Sequence, residues 1–370
     1  MPGPPIFVVG DFSIRLDPPG TWSFSALMGF DECPRRWALA QTEIPCFGGV
    51  FPQKSSRSGV EGTLLHALIE RFAHHSTLEG AEMFRPRRTL LEKVANWAKE
   101  NANNVRIDSK ALAGQVRIEE ILRSFEETCV HVKRPVRRLA SVTSPAGASR
   151  TVAGPEVWLR DTESKLCGRA DLVSAGEIVD FKSGEQQDHH EKQLAFYAAL
   201  HLALTGRCPA ALRLIYTSTN EVREVPVPVT KELQLLLEEL RQQAATADRQ
   251  VKTGRFPAKP ESTKCMHCHV RGLCDAYWEK IEDQGQSGIA DQAPLVDYSP
   301  TAEARIERSA LGIYIRDTWA GLPSVLHLPK EVADKIGDAV RKLRVLALRA
   351  NTSAEGVRLA FTQSSEIYIV

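Results

Sequence analysis

Apolar residues recur in two periods along this chain, and the alternation between those periods predicts its architecture. A helical spacing of three and four runs through G-T-L-L-H-A-L-I-E-R-F from Gly62, which puts Leu65, Leu68, Ile69 and Phe72 on one face. The same spacing returns in T-L-L-E-K-V-A-N-W-A and in A-L-A-G-Q-V-R-I-E-E-I-L-R-S-F-E-E-T-C-V, within residues 80–139. It returns again in an Ala- and Leu-rich helix over 191–204 and in the long amphipathic K-E-L-Q-L-L-L-E-E-L-R-Q-Q-A. Between these lie short β-branched runs: E-V-W-L-R, Ala170 to Val173, Ile178 to Phe181, A-L-R-L-I-Y-T-S and E-V-R-E-V-P-V-P-V. Strands interleaved with helices predict an α/β fold, a mixed central sheet flanked by helices.

The flanks differ in texture. Residues 1–20 are rich in Pro and Gly, with I-F-V-V and F-S-I-R-L as candidate edge strands. A helix capped by Ser23 or Ser25 follows, with Leu27, Phe30 and Trp37 on its apolar face and Pro34 interrupting it directly after Cys33. Residues 141–155 and 282–298 have loop and linker composition. Beyond the second, R-I-E-R-S, G-I-Y-I-R-D, S-V-L-H-L-P, a short helix at K-E-V-A-D-K-I-G, then V-R-K-L-R-V-L-A-L-R-A and two more strands ending E-I-Y-I-V give about five strands with a helix between the third and fourth, which predicts a small all-β, OB-like domain over 299–370. Such folds hold single strands through aromatic and basic side chains, so Tyr314, Arg316 and Trp319 are candidates for contact as well as for core packing. This divides the chain into 1–281, with a core at about 60–250, a linker over 282–298, and the β domain.

Composition narrows the function classes. The 370 residues are 43% hydrophobic and 25% charged, which is globular and excludes a fibre or tail. No apolar run approaches the ~18–20 residues of a membrane span, and the opening M-P-G-P-P-I-F-V-V-G lacks the features of a secretory signal, so a cytoplasmic protein without membrane partners is expected. With a net charge of +1, attraction to nucleic acid must come from local clusters, of which Arg85, Arg87 and Arg88 form one and Lys133, Arg134, Arg137 and Arg138 another. Each is read first as a solvated helix end. Eight cysteines without an export signal point to metal ligation or buried thiols rather than disulfides.

The chemistry concentrates between Gly168 and Tyr197, in G-R-A-D-L-V-S-A-G-E-I-V-D-F-K-S-G and then Q-L-A-F-Y. Ser174, Ala175 and Gly176 break two apolar strands into a hairpin. Asp171 lies in the first strand; Asp180 and Lys182 end the second and alternate to one face, with Phe181 on the other. Two carboxylates on one face repel unless a cation neutralises them, and Asp oxygens suit Mg²⁺ or Mn²⁺. The competing reading is a surface hairpin with a solvated Asp-x-Lys pair. Gln193 and Tyr197 are one helical turn apart, where an amide and a phenol can hydrogen-bond phosphate oxygens or pack on the sheet. His66 is either a hydrogen-bonded core residue or a ligand, and Glu156 is either an extra acidic ligand or a strand-edge carboxylate.

In the order G-x-x-x-H (Gly62 to His66), G-R-x-D (Gly168 to Asp171), D-x-K-S-G (Asp180 to Gly184) and Q-x-x-x-Y (Gln193 to Tyr197), the chain resembles the PD-(D/E)xK nuclease superfamily, specifically its RecB-type exonuclease branch. The resemblance implies a restriction-endonuclease-like core over 1–281 and hydrolysis of DNA phosphodiester bonds. It implies that His66, Asp171, Asp180 and the Phe181 carbonyl hold Mg²⁺ or Mn²⁺. Lys182 would then orient or activate water, and Gln193 and Tyr197 would align the strand.

Cys265, Cys268 and Cys274 fall within ten residues. With His267 or His269 they offer a local tetrahedral zinc site; a [4Fe–4S] cluster needs a fourth thiolate. The resemblance implies the cluster, because iron–sulfur members of this branch carry one Cys before the core, here Cys33 in C-P-R-R-W, and C-x-x-C-x₅-C after it. The function so implied is a single-strand exonuclease of DNA repair, recombination or phage/CRISPR-type defence, acting on single-stranded DNA or DNA ends and working beside a helicase or other repair and defence proteins. The alternative is a catalytically silent nucleic-acid-binding subunit of such a complex; retention of Asp171, Asp180 and Lys182 argues against it.

Overall fold

The computed structural model describes residues 4–76, 84–132, 153–283 except 162 and 175, and 295–370 except 320. The chain divides into two compact units, one of Pro18–Met28 and Ser55–Lys252, the other of Met1–Asp17, Gly29–Lys54 and Thr253–Val370.

The first unit is built on five strands in sequence order: β1 (Gly154–Arg160), β2 (Cys167–Ser174), β3 (Glu177–Lys182), β4 (Ala211–Tyr216) and β5 (Glu221–Val225). Neighbours run antiparallel except β3 and β4, which are parallel. A parallel pair needs a crossover, here α2 (Asp188–Thr205). Pro226 ends β5 because it has no N–H for the ladder. Helix α1 (Arg57–Ser76) shares a core with helices Pro86–Glu100 and Ile118–Val132, in which Leu65, Leu68, Ile69 and Phe125 meet Leu172, Val179, Phe181 and Ile215 of the sheet. The apolar residues of α2 run almost all round it, as befits a helix covered on two sides. One cover is the sheet and the other is α3 (Thr230–Lys252), which buries Leu233, Leu237, Leu240, Ala244, Ala247 and Val251 at helical spacing. Trp22, fully buried, donates from Nε1 to Asp248 Oδ1 at 2.8 Å.

In the second unit, strand Ile6–Val8 lies parallel to Glu366–Ile369 at the edge of an eight-stranded sheet. Leu343–Ser353 comes next and pairs along its length with Glu366–Ile369, Val296–Tyr298 and Gly356–Ala360. Leu322–Pro329, Gly312–Trp319 and Arg305–Ser309 complete the order. Helix Lys330–Ile336 follows Leu322–Pro329, between the third and fourth of the expected strands. I-F-V-V is an edge strand as expected, whereas residues 12–16 form none. Of the expected linker, 284–294 lies outside the described residues, and Val296–Tyr298 is a strand of the sheet.

Trp319 is 5% exposed and belongs to the core of this sheet, which removes it as a contact for a single strand. Tyr314 stacks on His327 at 4.4 Å between centroids, and Arg316 is exposed and paired with Glu307 at 2.9 Å. The cluster from Lys133 to Arg138 lies outside the described residues. Arg87 and Arg88 are exposed and paired with Glu119 and Glu92, a solvated helix start. No described helix is long and apolar enough to cross a membrane.

Candidate active site

The β2–β3 ladder pairs Ser174 with Glu177, Val173 with Ile178 and Leu172 with Val179, which sets Asp171 across from Asp180. There the ladder stops, because the Asp171 carboxylate takes over: its Oδ2 accepts from the Phe181 N–H at 2.7 Å. Asp180 is 2% exposed, and its Oδ2 lies 2.6 Å from Lys182 Nζ, an ion pair without the alignment of a hydrogen bond. Lys182 Nζ also donates to Gln193 Oε1 at 2.6 Å, and Gln193 Nε2 donates to the Tyr197 hydroxyl at 2.8 Å. From α1, His66 Nδ1 faces Asp171 Oδ2 at 3.9 Å, its ring edge-on to Phe181. The predicted residues thus form two linked chains of contact, His66–Asp171 and Asp180–Lys182–Gln193–Tyr197.

Two glycines of the sequence pattern have a steric cause. A Cβ on Gly62 would run into Ser183 Oγ, and one on Gly168 would stand 2.6 Å from the Tyr197 ring. Helix α1 reaches the end of β3, and α2 reaches β2, only because these positions carry no side chain. Gly168→Ala should therefore displace Tyr197 and cost about 1–3 kcal/mol, as overpacking does. A urea midpoint equal to wild type would contradict this contact.

Burial governs the charges. It pushes the Asp171 carboxyl well above the usual range, and the facing Asp180 charge adds to that; the Phe181 N–H and Lys182 oppose it. Burial raises Asp180 as well, against the pull of Lys182. His66 falls to about 4, through desolvation first and the Lys182 charge second, and so is neutral near pH 7. A pair of facing carboxylates that resist joint ionisation, one buried oxygen without a hydrogen bond, and a neutral imidazole beside them fit a hard divalent cation with mixed O and N donors. Among the described residues, no three His, Cys, Asp or Glu side chains converge on one point as ligands.

An open cleft of about 380 Å³ gives solvent a route to His66 and Asp171, and Gly62, Ser183, Glu70, Glu156 and Arg169 help line it. Glu156 holds a left-handed φ of 53° in the middle of β1, a strained state that tends to occur at functional sites. Its flanking pairs, Pro155–Leu172 and Val157–Ala170, place it across from Asp171, and Arg169 pairs with it at 2.5 Å. Glu156 is thus a carboxylate of the sheet's edge strand that also lines the cleft; its place across from Asp171 depends on the β1–β2 register, which the residues of either strand alone do not encode.

The model of the PD-(D/E)XK nuclease superfamily matches residues 21–275, more than two thirds of the chain. The chain belongs to that superfamily. Its members are metal-dependent nucleases, and the mixed sheet flanked by helices is their restriction-endonuclease-like core. No curated protein matches the chain.

The superfamily match ends at Asp275, just past the last of three clustered cysteines. Cys33 caps helix Pro34–Gln41, its Sγ accepting from the Arg36 N–H at 3.4 Å. It lines one small cavity together with Cys265, Cys268 and Cys274. Burial pushes the Cys268 thiol up to about 11 and raises Cys274. His267 is exposed, and neither it nor His269 lines that cavity. Cys129 and Cys167 are buried elsewhere, as ordinary apolar thiols.

Proposed function

We propose that this nuclease is a RecB-type exonuclease that digests DNA from single-stranded ends, and the observation carrying the proposal is the contact chain Asp180–Lys182–Gln193–Tyr197 beside the Asp171–His66 pair. Asp171, Asp180, His66 and the Phe181 carbonyl would hold Mg²⁺ or Mn²⁺, which when bound would supply a water of lowered pKa and neutralise charge on the phosphate. Lys182 is a three-donor ammonium; with one donor on Gln193 and one toward Asp180, the third is left for a water or a phosphate oxygen. Gln193, braced by Tyr197, fixes where that ammonium points and so sets the line of attack. The neutral His66 ring keeps a lone pair for the ion at the pH of the cell.

The test uses purified full-length protein, Mn²⁺, strands labelled at either end and a closed single-stranded circle. Loss of linear strands with the circle intact is expected. Cutting of the circle would replace the exonuclease by an endonuclease. Binding without any cleavage would favour the silent subunit.

Cys33, Cys265, Cys268 and Cys274 hold a [4Fe–4S] cluster in this reading. The ground for this reading is the resemblance, one Cys before the core and C-x-x-C-x₅-C after it; the four cysteines line one cavity, and His267 and His269, which a local zinc site would need, do not. The cluster's role is structural, holding Cys33 to the 265–274 segment within one unit. Protein purified without oxygen should be brown and carry about four irons per chain. Cys265→Ser should lose both colour and iron. Colourless protein with stoichiometric zinc would overturn the assignment.

A further inference from the structure

Trp158 is the one Phe, Trp or Tyr side chain among the described residues that is mostly exposed, at 53%. It sits on β1, the edge strand of the central sheet, directly across from Arg169 on β2. Guanidinium carbons of Arg160 and Arg169 lie 5.2 Å and 5.9 Å from the centre of its ring. An indole left in water with two cations packed on it serves no core. The next cross-strand position on the same face is Glu156 opposite Asp171, about 7 Å along the strand. Arg169 joins the two places, since it lines the cleft, pairs with Glu156 and reaches the indole.

We propose that Trp158, with Arg160 and Arg169, is a stacking platform for an unpaired nucleobase of single-stranded DNA, next to the position where the strand is cut. This rests on the nuclease reading for its occupant and deepens it by naming what selects single strands. Indole and guanidinium planes both stack on any base face, and the two positive charges take the adjoining phosphates. A base inside a duplex is already stacked on its neighbours and has no free face to offer. The contact is therefore blind to sequence and selective for unpaired strands. Arg169 also trades its partner: a phosphate drawing it toward the strand frees Glu156 in the cleft.

Full-length Asp180→Ala protein, used so that the strand survives, is titrated with end-labelled oligo-dT and with an abasic strand of the same length. The abasic strand should bind about tenfold more weakly than oligo-dT. Adding Trp158→Ala should weaken oligo-dT by about tenfold and leave the abasic strand within about twofold, with Trp158→Phe restoring most of the loss. Equal binding of the two strands by protein with Trp158 intact would overturn the platform, whether or not the alanine variant folds. So would a Trp158→Ala loss of the same size on both strands. Base-dependent binding by a wild-type chain that cleaves no strand supports the platform while defeating the nuclease reading.

Discussion

Asp180→Ala should lower cleavage of end-labelled single strands in Mn²⁺ by at least about a thousandfold, the equivalent of about 4 kcal/mol of transition-state stabilisation. The carboxylate is buried, meets Lys182 at 2.6 Å and stands across from Asp171, so no exposed side chain can replace it. Retention of a tenth of the activity would refute its role. Asp171→Asn provides the electrostatic counterpart. Asn keeps an acceptor for the Phe181 N–H while removing a carboxylate whose pKa is raised by burial and by Asp180. A raised carboxyl favours the fold fully below its unfolded pKa and loses that advantage as pH rises through the folded value. Without metal, Asp171→Asn should therefore melt above wild type near pH 8, and the gap should close on acidification. His66 works in the opposite sense. Held at about 4 in the fold, its contribution is present above its ordinary 6.5 and is lost as pH falls toward 4. Mn²⁺ should raise the melting temperature of wild type, more so at higher pH, and leave Asp171→Asn nearly unmoved. Equal Mn²⁺ stabilisation of both proteins would place the ion elsewhere.

Arg241→Ala should cost about 3 kcal/mol of stability, the usual result of breaking a buried ion pair by removing one partner. Asp161, 5% exposed at the end of β1, accepts from Arg241 Nε at 2.8 Å and Nη2 at 2.9 Å. Burial alone would raise its carboxyl, but the hydrogen bonds from Arg241 and Ser164 outweigh that and hold it below the ordinary value. Its stabilising effect is then present at neutral pH and fades as pH falls through the folded pKa, so the deficit of Arg241→Ala should shrink in acid. Arg241→Lys should recover little, because an ammonium cannot span both oxygens. Urea unfolding at two pH values measures this; a neutral-pH loss under 1 kcal/mol would mean that Ser164 Oγ, at 2.6 Å, suffices for Asp161.

Local alternation made much of this legible. The Asp180–Lys182 spacing, the turn after Val173 and the one-turn interval from Gln193 to Tyr197 each depend on residues close in sequence, and each found its expected place. Helix α1 carries His66 to the hairpin because Gly62 admits Ser183, a contact that no spacing rule reveals. Strand parity also distinguishes two tryptophans. Trp319 shares its alternation with Ile313 and Ile315, both buried, and so belonged with the core from the start. Trp158 lies between Val157 and Leu159 and shares parity with Arg160, which marked it as outward-facing. What lay beyond local reading was register and long-range pairing: Glu156 across from Asp171, and Ile6–Val8 beside Glu366–Ile369.

That last pairing has a consequence for biosynthesis. At about 5–20 residues per second, a ribosome needs roughly 20–70 s to travel from the first of these strands to the second. Throughout that interval the nascent segment around Phe7 and Val9, both destined for burial, lacks its ladder partner. The unit of Pro18–Met28 and Ser55–Lys252 is free to assemble while translation continues. Premature termination anywhere before Glu366 would leave the leading strand as sticky, chaperone-seeking polypeptide, and a slow codon anywhere between the two strands lengthens its exposure by the same pause.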